Sequence, residues 1–161
     1  MMTTVEMISH YPFFADLTQE QIAVLASVAE GITAQTGDFI FHENDELCCF
    51  YIVVEGAVGI VMEAPQKPAK ETEKTETKDI VFSAIGPGGA FAWSALVPPH
   101  KATASAKALT PCWLIAFDCN QLTRAFENDC EFGYRMMMKV AQVSRDRLRD
   151  TRIESLVFTE K

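Results

Sequence analysis

Residues 36–61 read TGDFIFHENDELCCFYIVVEGAVGIV, and the punctuation of this stretch decides the fold. Three runs, Phe39 to Phe41, Phe50 to Val54 and Val58 to Val61, are rich in β-branched and aromatic residues, and the pairs Gly37-Asp38, Asn44-Asp45 and Glu55-Gly56 separate or flank them. Such runs bounded by turn formers predict short consecutive β-strands. Strand signals resume at Ile80 to Phe82 and again at Trp113 to Phe117. The intervening segment 64–79, APQKPAKETEKTETKD, has no apolar side chain larger than alanine and reads as a solvated excursion between strands.

On the N-terminal side, LTQEQIAVLASVAEGI (17–32) places Ile22, Leu25, Ala26 and Ala29 at helical spacing. Thr18 as N-cap and Gln21 three residues later form a capping box, so a helix is predicted over 18–30. After Asp118 and Asn120 come QLTRAFEND and a proline-free run from Cys130 to Leu156, which predict terminal helices. The long helix carries two adjoining stripes: Met136, Val140, Val143, Arg147, and Met137, Ala141, Ser144, Leu148, Thr151. One stripe suffices to dock on a core. The second, with its alternation of four and three, suits a helix from another subunit and predicts a homodimer.

The chain has 161 residues, of which 48% are hydrophobic, enough for a sizeable core in one domain. Its net charge of −8 disfavours nucleic acid as a partner, because phosphate binding needs clustered Lys and Arg. Arg145, Arg147, Arg149 and Arg152 are interleaved with Asp146, Asp150 and Glu154, as in helix-surface ion pairs. Five cysteines without a CxxC spacing point to reduced thiols in a cytoplasmic protein. The N-terminus lacks signal-peptide character, and no apolar run approaches the ~20 residues that span a bilayer, so no membrane is implied. His10, His42 and His100 form no HxH or HExxH pattern, and no Ser or Cys sits in a GxSxG turn. Neither a metal site nor an enzyme is expected.

Four segments in order resemble the cyclic-nucleotide-binding domain shared by the catabolite activator protein, protein kinase A regulatory subunits and nucleotide-gated channels. YPFFADLTQEQIAVLA (11–26) is similar to that family's opening helix, and 36–61 to its paired strand motifs, with Asn44 where glycine is usual. IGPGGAFAWSAL (85–96) stands where the phosphate-binding cassette "G-x-x-F-G-E-x-a-L" belongs, and TASAKALTPCWLIAFD (103–118) matches the strands that follow. The resemblance implies a mainly β fold: a β-jelly-roll barrel over 33–118, flanked by an N-terminal helical segment 5–32 and C-terminal helices 119–157. All of 1–161 then forms one domain with no DNA-binding domain.

In that family, backbone N–H groups at the cassette and an Arg hold the cyclic phosphate, and a Glu accepts from the ribose. Counting from Phe91, the family Gly falls on Ala92, the Glu on Trp93 and the Arg on Ala102. Both charged determinants are missing. The candidate ligand-binding residues are therefore Gly88, Gly89, Ala90, Phe91, Ala92, Trp93, Ser94, Lys101, Ala102 and Thr103, with Thr103 matching the family's hydroxyl beside the Arg. Trp93 either stacks on a planar ligand or fills the ribose volume. Lys101 and His100 read as solvent-facing. Losing the Arg removes contacts worth about 1.5–3 kcal/mol each, at least about a tenfold penalty on a cyclic phosphate. The expected function is a regulatory sensor that takes a small ligand, cAMP or cGMP in weakened or altered form or another small anion, with an unknown downstream protein partner. The alternative is a ligand-free dimeric interaction module with a vestigial pocket.

Overall fold

A computed structural model of the chain describes residues 4–63 and 79–159, and the excursion read over 64–79 lies, apart from Asp79, outside them. Two compact units divide the chain after Leu122 and are described separately.

The first unit opens with α1 (Thr4–His10), a 3-10 turn (Pro12–Phe14) and α2 (Gln19–Ser27). Thr18 caps α2 as the sequence requires: its hydroxyl accepts from the Gln21 N–H at 3.2 Å, and its own N–H donates to the Gln21 side chain at 3.0 Å. The helix ends at Ser27 instead of running to residue 30, because Ala29–Ala34 forms strand β1. Its register runs from Ala29 opposite Phe117 to Ala34 opposite Cys112. The ladder satisfies these backbone groups, which outweighs the weak local helix preference of a segment containing Gly31 and Thr33.

Strands β2 (Phe39–Phe41), β3 (Cys49–Glu55), β4 (Val58–Met62), β5 (Ile80–Ile85) and β8 (Cys112–Asp118) fall on the apolar runs read from the sequence. Two more, β6 (Ala90–Phe91) and β7 (Ser105–Ala108), are too short and alanine-rich to announce themselves. They complete two four-stranded antiparallel sheets, ordered β1-β8-β3-β6 and β2-β7-β4-β5. The mainly β fold that the resemblance implies is present as two four-stranded sheets that do not close into a barrel. Among the described residues no ladder joins them, because β6 and β2 pair on one side only.

Alternation along β3 assigns its two faces. Tyr51 and Val53 oppose Ala116 and Leu114, whereas Phe50 and Ile52 oppose Phe117 and Ile115. Phe41, from the other sheet, lies 6.3 Å from the Tyr51 ring and 6.2 Å from Phe91, so the Tyr51 face looks into the space between the sheets. The Phe50 face looks outward onto the N-terminal helical segment.

The second unit carries most of α3 (Cys119–Asn128) and all of α4 (Cys130–Thr159). Asp118 carboxylate oxygens accept from Asn120 and Gln121 N–H groups at the start of α3, and Asp129 accepts from the Phe132 N–H at the start of α4. Both are N-caps. The Phe126 and Phe132 rings meet edge to face at 5.0 Å across the junction. Along α4, Met136 and Val140 are buried, while Met137, Ala141, Ser144, Leu148 and Thr151 are all exposed.

Thr18→Ala removes one side of the capping box and is expected to cost about 1 kcal/mol of stability. Urea unfolding followed by circular dichroism reads the change.

Candidate functional site

The cassette residues fall into two groups. Gly88 and Gly89 form a turn whose backbone is bonded to β3: the Gly88 N–H donates to the Val53 carbonyl at 2.8 Å, and the Val53 N–H donates to the Gly89 carbonyl at 3.0 Å. The Gly89 N–H donates to the Gly86 carbonyl. Gly88 has φ +83°, which glycine adopts without strain, and a Cβ on Gly89 would overlap the Ile85 side chain. Both glycines are therefore explained by the fold of the turn itself. Ala90 and Phe91 form β6, with Phe91 opposite Tyr51 and the two rings stacked at 5.0 Å.

At Ala92 the chain turns through φ +67°, a left-handed conformation that costs an alanine about 1–2 kcal/mol. The resemblance puts glycine at this position, and the backbone shows why: the turn is retained although the residue that suits it is gone. Asn44, the other departure from the family glycines, has φ +69°, which Asn tolerates better than most residues. A 3-10 turn over Trp93–Leu96 follows, and it includes Ser94.

Trp93 is 4% exposed and turns away from the space between the sheets. Its ring stacks on Phe50 at 4.6 Å, and Phe13 covers it at 5.1 Å. Phe50 in turn stacks on Phe117 at 4.8 Å, and Phe14 closes on Phe117 at 5.9 Å. Trp93 thus belongs to the ring stack on the Phe50 face of β3. It locks the cassette turn to the N-terminal helical segment. Its Nε1 is buried without an acceptor among the described residues, a cost of about 1–3 kcal/mol that the stacked rings offset.

The second group lies along the turn after β2. Ala102 is buried, its N–H donating to the Asp45 carbonyl and its carbonyl accepting from the Asn44 N–H, both at 2.9 Å. Lys101 and Thr103, its neighbours, are exposed, and Lys101 forms an isolated bridge with Glu46. His100 ties the two groups together: its Nδ1 is 2.8 Å from the Ala95 carbonyl, its N–H donates to Val97, and its carbonyl accepts from the Leu47 N–H. His100 is therefore a half-buried structural residue where the sequence suggested a surface one.

Sequence reasoning missed the rings between the sheets, Phe41 and Tyr51, and a polar cluster nearby. The one signal for the rings was the Phe-Tyr-Ile-Val alternation of β3. In the polar cluster, the Glu63 carboxylate meets the His42 ring and accepts from the Ser105 hydroxyl at 3.1 Å, and Ser105 accepts from the Glu43 N–H at 2.8 Å. Ser105 is fully buried, and nothing in the sequence joins residues so far apart. Burial pushes the Tyr51 phenol up to about 12, so this group remains a neutral donor. Among the described residues, no three His, Cys, Asp or Glu side chains are grouped to hold a metal ion, and no helix is long and apolar enough to cross a membrane.

The sequence model of the cyclic nucleotide-binding domain matches residues 32–129, more than half of the chain. The chain belongs to the cyclic nucleotide-binding domain family. A putative cyclic nucleotide-binding protein from Geobacter metallireducens is 28% identical, with a TM-score of 0.74 over 92% of this chain and 99% of that one. The N-terminal domain of a transcriptional regulator from Streptomyces coelicolor is 27% identical, with a TM-score of 0.65 over 86% and 92%. The Thermus thermophilus catabolite activator protein shares the fold at 20% identity, with a TM-score of 0.68 over 92% of this chain and 63% of that one. No curated protein matches the chain by sequence. Structural relatives of this cyclic nucleotide-binding domain include regulatory and sensor proteins.

The raised phenol sets a pH dependence. A folded-state value above the unfolded value of 10.0 means Tyr51 contributes stability that is present below pH 10 and is lost as pH rises toward 12. Absorbance of tyrosinate should show one of the three tyrosines titrating late, and Tyr51→Phe should abolish that late step.

Proposed function

We propose that this cyclic nucleotide-binding domain is a regulatory sensor and not an enzyme, that it takes a small ligand between its sheets with weak or altered recognition of cAMP and cGMP, and that it works as a homodimer through α4. The carrying observation is Ala102. The position of the family's phosphate-binding Arg is a buried methyl group whose backbone is spent on the Asn44–Asp45 turn. The carboxylate position, Trp93, is likewise occupied by an uncharged ring packed on Phe50. With both charges absent, an anionic ligand has only backbone dipoles, the Thr103 hydroxyl and the outlying Lys101 to meet it.

Titration calorimetry tests the reading. Wild type is expected to bind cAMP weakly, and Ala102→Arg to bind it at least about tenfold more tightly, since a charge-assisted contact is worth about 1.5–3 kcal/mol. Micromolar uptake by wild type that Ala102→Arg leaves unchanged would sink it. The alternative, a ligand-free interaction module, draws on one observation: Phe41, Tyr51 and Phe91 already stack on one another between the sheets. A thermal-shift screen of cyclic nucleotides and small anions that raises no melting point favours that alternative.

The dimer rests on the exposed face of α4, where Tyr134, Met137, Met138, Leu148 and Leu156 lie in water although the helix already buries Met136 and Val140 elsewhere on its surface. Light scattering is expected to give twice the chain mass for wild type and the single mass for Leu148→Glu. A monomeric wild type ends this part of the proposal.

A further inference from the structure

Cys48, the residue before β3, and Cys119, the residue after β8, are joined through their backbones. The register sets Cys49 opposite Asp118 in an antiparallel pair, which brings Cys48 opposite Cys119, and the Cys119 N–H donates to the Cys48 carbonyl at 2.8 Å. Antiparallel residues paired through such bonds hold their Cα atoms about 5.5 Å apart. A disulfide spans Cα separations of about 4.4–6.8 Å. The Cys119 thiol takes a hydrogen bond from the Phe50 backbone and lies 3.6 Å from the Phe117 carbonyl, so it sits against the first residues of β3. Cys48 is exposed, whereas Cys119 is buried beside it.

We propose that Cys48 and Cys119 form an oxidative modification site that closes as an intramolecular disulfide under hydroperoxide. The exposed Cys48 sulfur attacks the peroxide O–O bond, becoming a sulfenic acid and releasing water when the oxidant is hydrogen peroxide. The Cys119 sulfur then displaces the hydroxyl as a second water, so two thiols lose two hydrogens and both peroxide oxygens leave as water. Burial shields the Cys119 sulfur from peroxide, which leaves first attack to the exposed Cys48. Cys49 is the competing thiol. It shares the Tyr51 face of β3, opposite to that of Phe50, and a bridge between adjacent residues closes a small strained ring. The Cys48–Cys119 bridge fastens the start of β3 to the first residue of α3, the helix through which the chain leaves the sheets.

The test treats the fully reduced chain with stoichiometric hydrogen peroxide, alkylates the remaining thiols and maps peptides without reduction. The expected product joins the Cys48 and Cys119 peptides, and two of the five cysteines escape alkylation. Cys49→Ser leaves the yield of that product unchanged. Cys48→Ser, a change at an exposed position, leaves Cys119 fully alkylated after the same treatment. A dominant Cys49–Cys119 or Cys48–Cys49 bridge, a bridge between chains, or a Cys48 sulfinic acid with Cys119 still alkylated would each overturn the assignment.

Discussion

The two-residue period of β3 is the constraint on which the rest of the first unit depends. Adjacent side chains on a strand point to opposite faces, so Phe50 and Tyr51 cannot serve the same core. Phe50 anchors a stack that runs from Phe117 through Trp93 to Phe13, while Tyr51 joins Phe91 and Phe41 between the sheets. Aromatic pairs at such distances contribute about 0.5–1.5 kcal/mol each beyond area burial. One strand thereby holds the N-terminal helical segment on one side and the second sheet on the other. A shift of β3 by one residue would exchange the two sets of rings and break both.

The same strand organises the cassette. Its turn is bonded to Val53 through Gly88 and Gly89, and β6 pairs with Tyr51 and Ile52. The left-handed backbone persists at Ala92, and the turn persists through Ala102, while the side chains at the positions that the resemblance gives to the family's Glu and Arg are a ring in the outer stack and a buried methyl. Glycines that suggested a backbone bared for a ligand instead satisfy a positive φ and the close approach of Ile85. A backbone can be kept by packing alone, because its hydrogen bonds are internal. A charged side chain in a pocket is costly unless its partner is bound.

Much of the fold was legible in the chain. The capping box at Thr18 and Gln21, the runs that became β2 to β5 and β8, the Asp118 cap, and the second stripe on α4 are local patterns. Each acts through neighbours at one, two, three or four residues, so the sequence displays them directly. The family resemblance was equally readable, since it depends on residue type and spacing. β1, β6 and β7 were not legible as strands, because their backbone bonds are supplied by partners distant in sequence.

Which way each cassette side chain points lay beyond sequence reasoning. The sequence alone determined that position 93 is an aromatic ring and position 102 a methyl, and hence that no carboxylate or guanidinium stands there. Tertiary structure alone decided that the ring belongs to the Phe50 stack, that the methyl is sealed against the turn after β2, and that the Cys48 carbonyl meets the Cys119 N–H. Residue identity is written in the chain, whereas orientation follows from strand register and long-range packing, which no local window of sequence contains.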